Sequence, residues 1–352
     1  MNRSKFGDYN IIDCHVHHRL NEVDLPELYK QAEILAEVVT RGNLTHMHTF
    51  GKNDHTSLYL KAKYPGKFYS GGYIPWTGET KAFGKVEWRP YIESLIDLGY
   101  DGTAEMGSKP EVRSNHTPLD SDYYKGFWEH SEELEFPVLC HIGDVEDFWY
   151  EETTPKWAKD RGWGYYRDDF PHFREFYAEI FNVLKRHSDI KIALCHFLFM
   201  TPDIEEAEQI MQDYPNVTVD LSPGVEFLYN ISRKRDEWRD FMIKYDDRIV
   251  FGTDIGMSRD LQAHLDRVWL LRMFMETDEE FYTPETADQY LTRYDKPFIG
   301  LDLPRASLEK MYSGNFKKFF GSKPRPVNLD GAIKSSEKLD NKVVTEALRS
   351  LL

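Results

Sequence analysis

Residues 11–18 read IIDCHVHH, an apolar run that ends in histidines. His15 and His17 are two residues apart, so on an extended strand they share one face, with Cα atoms about 6.5 to 7 Å apart. At that separation two imidazoles can converge on one metal ion at about 2.0 to 2.1 Å. A lone HxH pair is equally consistent with a polar strand end, so the rest of the chain has to decide between the two interpretations.

Each of the three cysteines stands directly before a histidine, at the end of an apolar run. The pairs are Cys14 and His15, Cys140 and His141, and Cys195 and His196. Because successive side chains of a strand face opposite ways, histidines that point into a shared centre would leave the cysteines pointing outward into an apolar layer. The pattern therefore predicts functional histidines and packing cysteines. An odd cysteine count without framework spacing favours free thiols and a cytoplasmic location.

Short apolar runs alternate with helical patterns nearly to residue 275. In the first unit, apolar residues repeat at helical spacing between Asp24, a candidate N-cap, and Gly42, which follows the last turn. The runs cover residues 11–16, 43–48, 69–74, 101–106, 137–142, 190–196, 217–221 and 249–253. Eight such units predict an α/β fold of the (β/α)8 TIM barrel type, with a doubly wound sheet as the alternative.

The positions of the polar residues favour the barrel. The C-terminal ends of the runs, where a barrel has its active site, carry His15, His17, His141, His196 and Asp254. No GxGxxG or GxxxxGKS phosphate loop follows the first run, which removes the main sequence argument for a nucleotide-binding sheet.

Two segments depart from the repeat. Residues 143–171 form a long aromatic connection after the fifth run, which favours a lid loop over the barrel mouth, with a packed surface flap as the alternative. The tail from Ser322 mixes Pro, Lys, Ser and Asp and ends in a short helical pattern. We therefore expect a barrel over residues 1–321 and a C-terminal extension, a tail or arm, over residues 322–352.

Composition excludes some partners. The formal charge of −16 disfavours nucleic acid, because affinity for a phosphate backbone depends largely on Lys and Arg. No 18-residue apolar stretch could span a bilayer, so no membrane partner is expected. Aromatic residues make up 14% of the chain, which indicates a dense core or a cleft that stacks on a ring. The expected partner is a small-molecule substrate, and the acidic surface and the tail leave room for a homodimer.

Four phrases, IIDCHVH, VLCHIGD, IALCHF and VFGTDIG, resemble in this order the amidohydrolase superfamily. They are most similar to its branch of metal-dependent hydrolases and aminocarboxymuconate semialdehyde decarboxylase. The resemblance implies one divalent metal ion, usually Zn²⁺, held by His15, His17, His141 and Asp254 with a water in the open place. It also implies that His196 orients or deprotonates that water, while Asp254 shuttles a proton. Imidazole and carboxylate ligands independently suit Zn²⁺ or Mn²⁺.

Further residues are candidates for substrate binding. His46 and His48 form a second HxH pair at the end of the second run and are predicted to contact substrate, with a solvated strand end as the alternative. Trp149 and Arg167 in the lid segment are candidates too, since a guanidinium matches a carboxylate. Two-metal enzymes of the superfamily place a bridging ligand on the fourth strand. Alternation leaves the facing of Glu105 there open, and a single metal is predicted.

The predicted function is metal-dependent hydrolysis of a small-molecule amide, ester or lactone through metal-activated water. The nearest alternative uses the same metal for nonoxidative decarboxylation of a small cyclic or unsaturated carboxylic acid. Metal-free lactone hydrolysis and a noncatalytic binding barrel are further alternatives. The loops Glu226–Tyr229 and Met257–Arg259 lie where a barrel places its substrate loops, but the sequence assigns them no role.

Overall fold

Eight parallel strands form a TIM barrel, as the alternating pattern predicts. The structure, a computed structural model, describes residues 5–18, 20, 23–52, 55–76, 85–110, 117–167, 170–224, 226–256, 260–287 and 296–352. The strands are β1 (Ile12–His17), β2 (His46–Phe50), β3 (Phe68–Gly72), β4 in two segments (Gly102–Thr103 and Glu105–Ser108), β5 (Val138–Ile142), β6 (Ile192–Leu194), β7 (Thr218–Asp220) and β8 (Ile249–Val250).

Backbone hydrogen bonds close the barrel. Strands β1, β2, β3 and the first segment of β4 pair in that order, and the second segment of β4 continues through β5 to β8. Thr103 N–H donates to Pro137 O at 2.8 Å and links the two sheets at β4. Cys14 N–H donates to Phe251 O at 2.9 Å and joins β1 to the chain after β8. Closure leaves no open sheet edge and brings the C-terminal ends of all strands to one mouth.

A ring of helices covers the barrel. The helices are α1 (Leu25–Arg41), α2 (Thr56–Lys63), α3 (Trp88–Leu98), α4 (Asp122–Glu133), α5 (Lys156–Lys159), α6 (Phe173–Arg186), α7 (Ile204–Asp213), α8 (Phe227–Arg233), α9 (Arg235–Lys244), α10 (Leu261–Glu276), α11 (Arg305–Glu309), α12 (Asn315–Phe320), α13 (Leu329–Lys338) and α14 (Lys342–Arg349). At α1 the predicted caps are confirmed, since Asp24 accepts a hydrogen bond from Glu27 N–H and Gly42 N–H donates to Val38 O. Among the described helices there is no candidate for a membrane span.

The end of the barrel opposite the mouth is filled by aromatic rings. Phe316 and Phe320 of α12 stack with ring centroids 4.5 Å apart. Within the barrel they join a buried cluster of small and apolar residues that includes Ile12, Cys14 and Ala104. This packing closes one end of the barrel and leaves the other for polar chemistry.

The long connection after β5 packs against the mouth. Its core is aromatic, with Phe148 and Tyr165 buried and Trp163 packed against them. The ammonium of Lys109, the residue after β4, lies 5.3 Å from the ring centroid of Trp163. This contact places the segment beside the C-terminal end of β4, as a lid requires, and the role of a lid remains a prediction.

The tail folds back onto the barrel. Helices α13 and α14 pack against each other and against α1, α2 and α3. His55, at the start of α2, lies with its Nε2 2.7 Å from the hydroxyl of Ser335. In the irregular segment before the tail, Glu280–Phe281 and Phe298–Ile299 pair as two short antiparallel strands, β9 and β10. The loop Met257–Arg259 lies outside the described residues.

Candidate metal centre

Side chains from β1, β4, β5, β6 and β8 converge at the mouth of the barrel. The structure brings together all five residues for which ligand or catalytic roles are predicted, and it adds two residues that were not predicted there. The predicted five are His15, His17, His141, His196 and Asp254, and the additions are Glu105 and Asp220.

The two histidines of β1 face each other. His15 Nε2 and His17 Nε2 are 3.2 Å apart. On the other side of its ring, His15 Nδ1–H donates to Asp220 Oδ2 at 2.7 Å, so the Nε2 lone pair is turned toward His17. Two nitrogen ligands at 2.0 to 2.1 Å from a tetrahedral ion are about 3.3 Å apart. The spacing therefore fits a shared metal ion.

Carboxylate oxygens complete this set of donors. Asp254 Oδ1 lies 3.3 Å from His17 Nε2 and 3.6 Å from His15 Nε2. Glu105 Oε2 lies 3.4 Å from His17 Nε2, and Glu105 Oε1 lies 3.7 Å from His15 Nε2. Oxygen and imidazole donors at such separations suit a divalent ion such as Zn²⁺ or Mn²⁺.

Glu105 points inward, which settles the question that strand alternation left open. Its Oε1 lies 2.8 Å from His141 Nδ1 and 3.8 Å from His196 Nε2. On the other side of its ring, His141 Nε2–H donates to Gly143 O at 3.1 Å. Glu105 therefore adds a carboxylate to the predicted ligand set.

Asp220, the last residue of β7, accepts hydrogen bonds from three residues of the site. Its Oδ2 accepts from His15, and its Oδ1 accepts from His196 N–H at 2.8 Å and from Ser222 N–H at 3.0 Å. The carboxylate is completely buried. A carboxylate behind a ligand histidine fixes the tautomer and orientation of its ring. The available signal was an acidic residue at the end of the apolar run 217–221.

His196 sits on an unusual turn. Four consecutive residues from His196 to Phe199 have positive φ, between 49° and 56°. Left-handed backbone costs roughly 1–2 kcal/mol for each residue that is not glycine. Besides the bond from His196 N–H to Asp220, the turn is held by the hydroxyl of Tyr177, which donates to Leu198 O at 2.9 Å. Strain of this kind concentrates at functional sites.

Backbone irregularities explain why residues that are adjacent in sequence can both face the barrel interior. The pairing of β1 with β2 shifts register between Asp13 and Val16, β4 is interrupted at Ala104, and β6 gives way to the left-handed turn. Such breaks re-aim the next side chain. The prediction that all cysteines face outward is therefore wrong for Cys14 and Cys195, which join the interior cluster, whereas Cys140 joins the outer core.

The cysteines are nevertheless free and unsuited to bind metal. All three are buried and unpaired with one another. Burial raises the pKa of Cys195 well above its usual range, even though its sulfur lies close enough to His15 and Asp220 to complete a ligand group. Because the thiolate is the form that binds metal, this thiol stays a packing group.

The electrostatics of the centre favour a cation. Burial alone would lower the pKa of His15, but the carboxylate of Asp220, together with Glu105 and Asp254, raises it to about 9. Burial would raise the pKa of Glu105 and Asp254, yet the hydrogen bonds and charges of the histidines hold both below their usual values. Positive charge in the centre is thus strongly stabilised, and a divalent ion supplies it.

His48 and His46 do not lie at the mouth, so their prediction as substrate contacts is wrong. Strand β2 begins at His46 instead of ending at His48. The His48 ring is buried 4.7 Å from that of Phe320 at the closed end, and its Nδ1 lies 3.0 Å from Cys14 O. Burial lowers the pKa of His48 to about 3, which makes it a neutral core histidine.

The two lid candidates are placed differently. Trp149 is buried in the lid core, its indole N–H donates to Pro171 O at 2.8 Å, and the tip of its ring lies 4.0 Å from the position of a Cβ on Gly143. Arg167 is exposed, with its guanidinium 4.9 Å from the ring centroid of Phe170. The described contacts do not join Arg167 to the histidines, and substrate contact by either residue remains a prediction.

Known proteins resemble this chain along most of its length. The amidohydrolase family model matches residues 12–322. An uncharacterised TIM-barrel protein from Bordetella bronchiseptica has a TM-score of 0.54 at 15% identity, over 92% of this chain and 99% of that chain. A proposed amidohydrolase from Staphylococcus aureus has a TM-score of 0.52 at 14% identity, over 89% and 99%. At these identities the likeness shows the fold. No curated protein is similar enough in sequence to count as a relative.

Proposed function

We propose that this chain, which belongs to the amidohydrolase family, is a metal-dependent hydrolase of a small-molecule amide, ester or lactone. The observation that carries the proposal is the excess of carboxylates at the mouth. In the described part of the chain, no lysine or arginine forms an ion pair with Glu105, Asp220, Asp254 or Glu226. A divalent ion offsets Glu105 and Asp254 and leaves the ionised carboxylate of Asp220 in excess. This balance disfavours the carboxylate substrate that a decarboxylase requires.

The donor set supports one divalent ion, with His15, His17, His141, Asp254 and Glu105 as the residues that would hold it. When bound, such an ion polarises a carbonyl oxygen and lowers the pKa of a coordinated water toward neutrality. Zn²⁺ and Mn²⁺ both suit imidazole and carboxylate ligands.

The remaining groups are arranged to manage protons. Burial and the neighbouring His141 lower the pKa of His196 to about 3, so its ring is neutral at pH 7. Its Nδ1 lies 3.2 Å from both oxygens of Ser222, and its Nε2 faces the centre. His196 can thus orient a polar group of the substrate or its water, and the ionised Asp254 can accept a proton and pass it to a leaving group.

The proposed function is tested with metal-loaded protein and a panel of aryl esters, anilides and lactones. We expect turnover of at least one of these classes, loss of turnover after removal of metal with a chelator, and recovery when Zn²⁺ or Mn²⁺ is added back. Ring carboxylates serve as the comparison. Release of CO₂ from them, without hydrolysis of the panel, would establish the decarboxylase instead, and turnover that survives metal removal would overturn the role of metal.

Two substitutions separate ligands from supporting residues. His196→Asn is expected to leave metal content unchanged, because His196 stands beside the donor set and asparagine tolerates its left-handed backbone. Glu105→Gln is expected to weaken metal binding about tenfold, since it removes one charged donor. Metal analysis and competition with a chromogenic chelator measure both. Glu205→Gln, on the exposed first turn of α7, is the matched control. Metal loss in His196→Asn would make His196 a ligand.

A further inference from the structure

Glu226 is a buried carboxyl that the proposed chemistry does not use. It lies between the end of β7 and helix α8, at the catalytic end of the barrel. The residue is only 7% exposed to solvent, and neither oxygen of its carboxyl has a hydrogen-bond partner of normal geometry in the described part of the chain. A buried acid without a partner is costly, and acids of this kind are concentrated at functional sites.

Glu226 lies close to the candidate metal centre. A Cβ on Gly224 would lie 2.8 Å from Glu226 Oε2 and 3.1 Å from Phe199 Cε1, so the carboxyl and this ring are neighbours. The Phe199 ring in turn stacks on His196, with centroids 5.3 Å apart, and lies 5.6 Å from the ring of His141. Glu226 therefore lies about one aromatic ring beyond the donor set.

Other acidic residues lie near the carboxyl of Glu226. Burial, followed by the charges of Asp144 and Asp147 from the loop after β5, raises the pKa of Glu226 to about 8, while Thr201 acts in the opposite direction. Tyr177 of α6 faces this carboxyl too, and Glu226 contributes to its raised pKa. The surroundings are negative, desolvated and walled by an aromatic ring, which is the environment that stabilises an organic cation.

We propose that Glu226 binds a cationic nitrogen of the substrate, an ammonium or amidinium group, about one ring away from the bond that is cleaved. This inference rests on the proposed hydrolase function. It narrows the substrate class to amides, esters or lactones that carry a basic amine. The Phe199 ring lies beside the carboxyl. The ammonium then forms an ion pair with Glu226 and a cation–π contact with the ring.

Binding of three matched probes tests the proposal without any turnover. Benzylamine, benzyl alcohol and benzoate each carry one substituted carbon on a phenyl ring and are cationic, neutral and anionic at pH 7, and isothermal titration calorimetry at this pH gives their affinities. We expect benzylammonium to bind the metal-loaded protein at least about tenfold more tightly than benzyl alcohol, and benzoate to bind most weakly at this subsite. Glu226→Gln should abolish the preference, and the exposed control Glu205→Gln should keep it. Equal binding of benzylammonium to both variants would overturn the proposal.

Proton release gives a second readout that needs no variant. A carboxyl that is largely protonated at pH 7 must ionise to pair with an ammonium ion. Titrations in buffers of different ionisation enthalpy should show release of up to one proton for benzylamine and none for benzyl alcohol. Absence of release refutes the ion pair. If benzylammonium binds as expected but no ester or amide is hydrolysed, the proposed function fails and this subsite stands.

Discussion

Asp254→Asn is expected to lower the rate of hydrolysis by a factor of about 10³, because it removes the carboxylate that can take a proton at the centre. Asp254 Oδ1 lies within 3.6 Å of both histidines of β1, and its pKa is held below the usual range despite burial, so the group is ionised and able to accept. The amide of asparagine keeps the shape and one oxygen but cannot carry the proton. Steady-state kinetics on the best substrate of the panel measure the loss.

Asparagine is the right replacement because the backbone at Asp254 has a φ of 55°. Asparagine adopts the left-handed region readily, whereas alanine would add strain and confuse catalysis with folding. The hydrogen bond from Asp254 N–H to His15 O at 3.0 Å is retained. Thermal stability and metal content identify any indirect effect, and Asp213→Asn on the exposed end of α7 is the control. A variant with normal metal content and undiminished turnover would remove Asp254 from proton transfer.

The barrel and most of its centre could be predicted because their signals are local. A period of two in HVH places His15 and His17 on one face, and apolar runs followed by helical patterns count the eight units. The residues at the ends of the runs then meet, since closure of a parallel barrel brings all C-terminal ends to one mouth. None of this depends on the exact path of the backbone.

The features that could not be predicted from the sequence depend on the exact path of the backbone. Alternation predicts that Cys195 and His196 face opposite ways, but the left-handed turn directs both side chains toward the barrel interior. In the same way, the break in β4 allows both Ala104 and Glu105 to face the interior. A shift of one residue inverts the facing of a strand. His48 was misplaced for a related reason, because an apolar run does not show where pairing begins. Asp220 was missed because a carboxylate that supports a ligand carries no spacing motif.

Asp220→Asn is expected to weaken metal binding by a factor of about 10 to 100, with turnover at limiting metal falling in proportion. The carboxylate accepts on both oxygens, from His15 through Oδ2 and from His196 N–H and Ser222 through Oδ1. An amide offers a single oxygen. If this oxygen serves His196 and Ser222, the amide N–H₂ points at His15 Nδ1, which must then accept. The proton of His15 moves to Nε2, the nitrogen that faces His17 and the metal.

The mechanism of this effect is open to direct observation. Nitrogen NMR on isotopically labelled histidine, recorded on metal-free protein at a pH above about 9 so that the His15 ring is neutral, should report His15 as protonated on Nδ1 in the parent protein and on Nε2 in the variant, because the hydrogen bond selects the tautomer. Ser222→Ala is the matched control, since it removes one donor to the same carboxylate and leaves both of its oxygens in place. It should lower the free energy of unfolding by about 1 kcal/mol without changing metal affinity. Equal metal affinity in Asp220→Asn and the parent protein would show that His15 is oriented by packing alone.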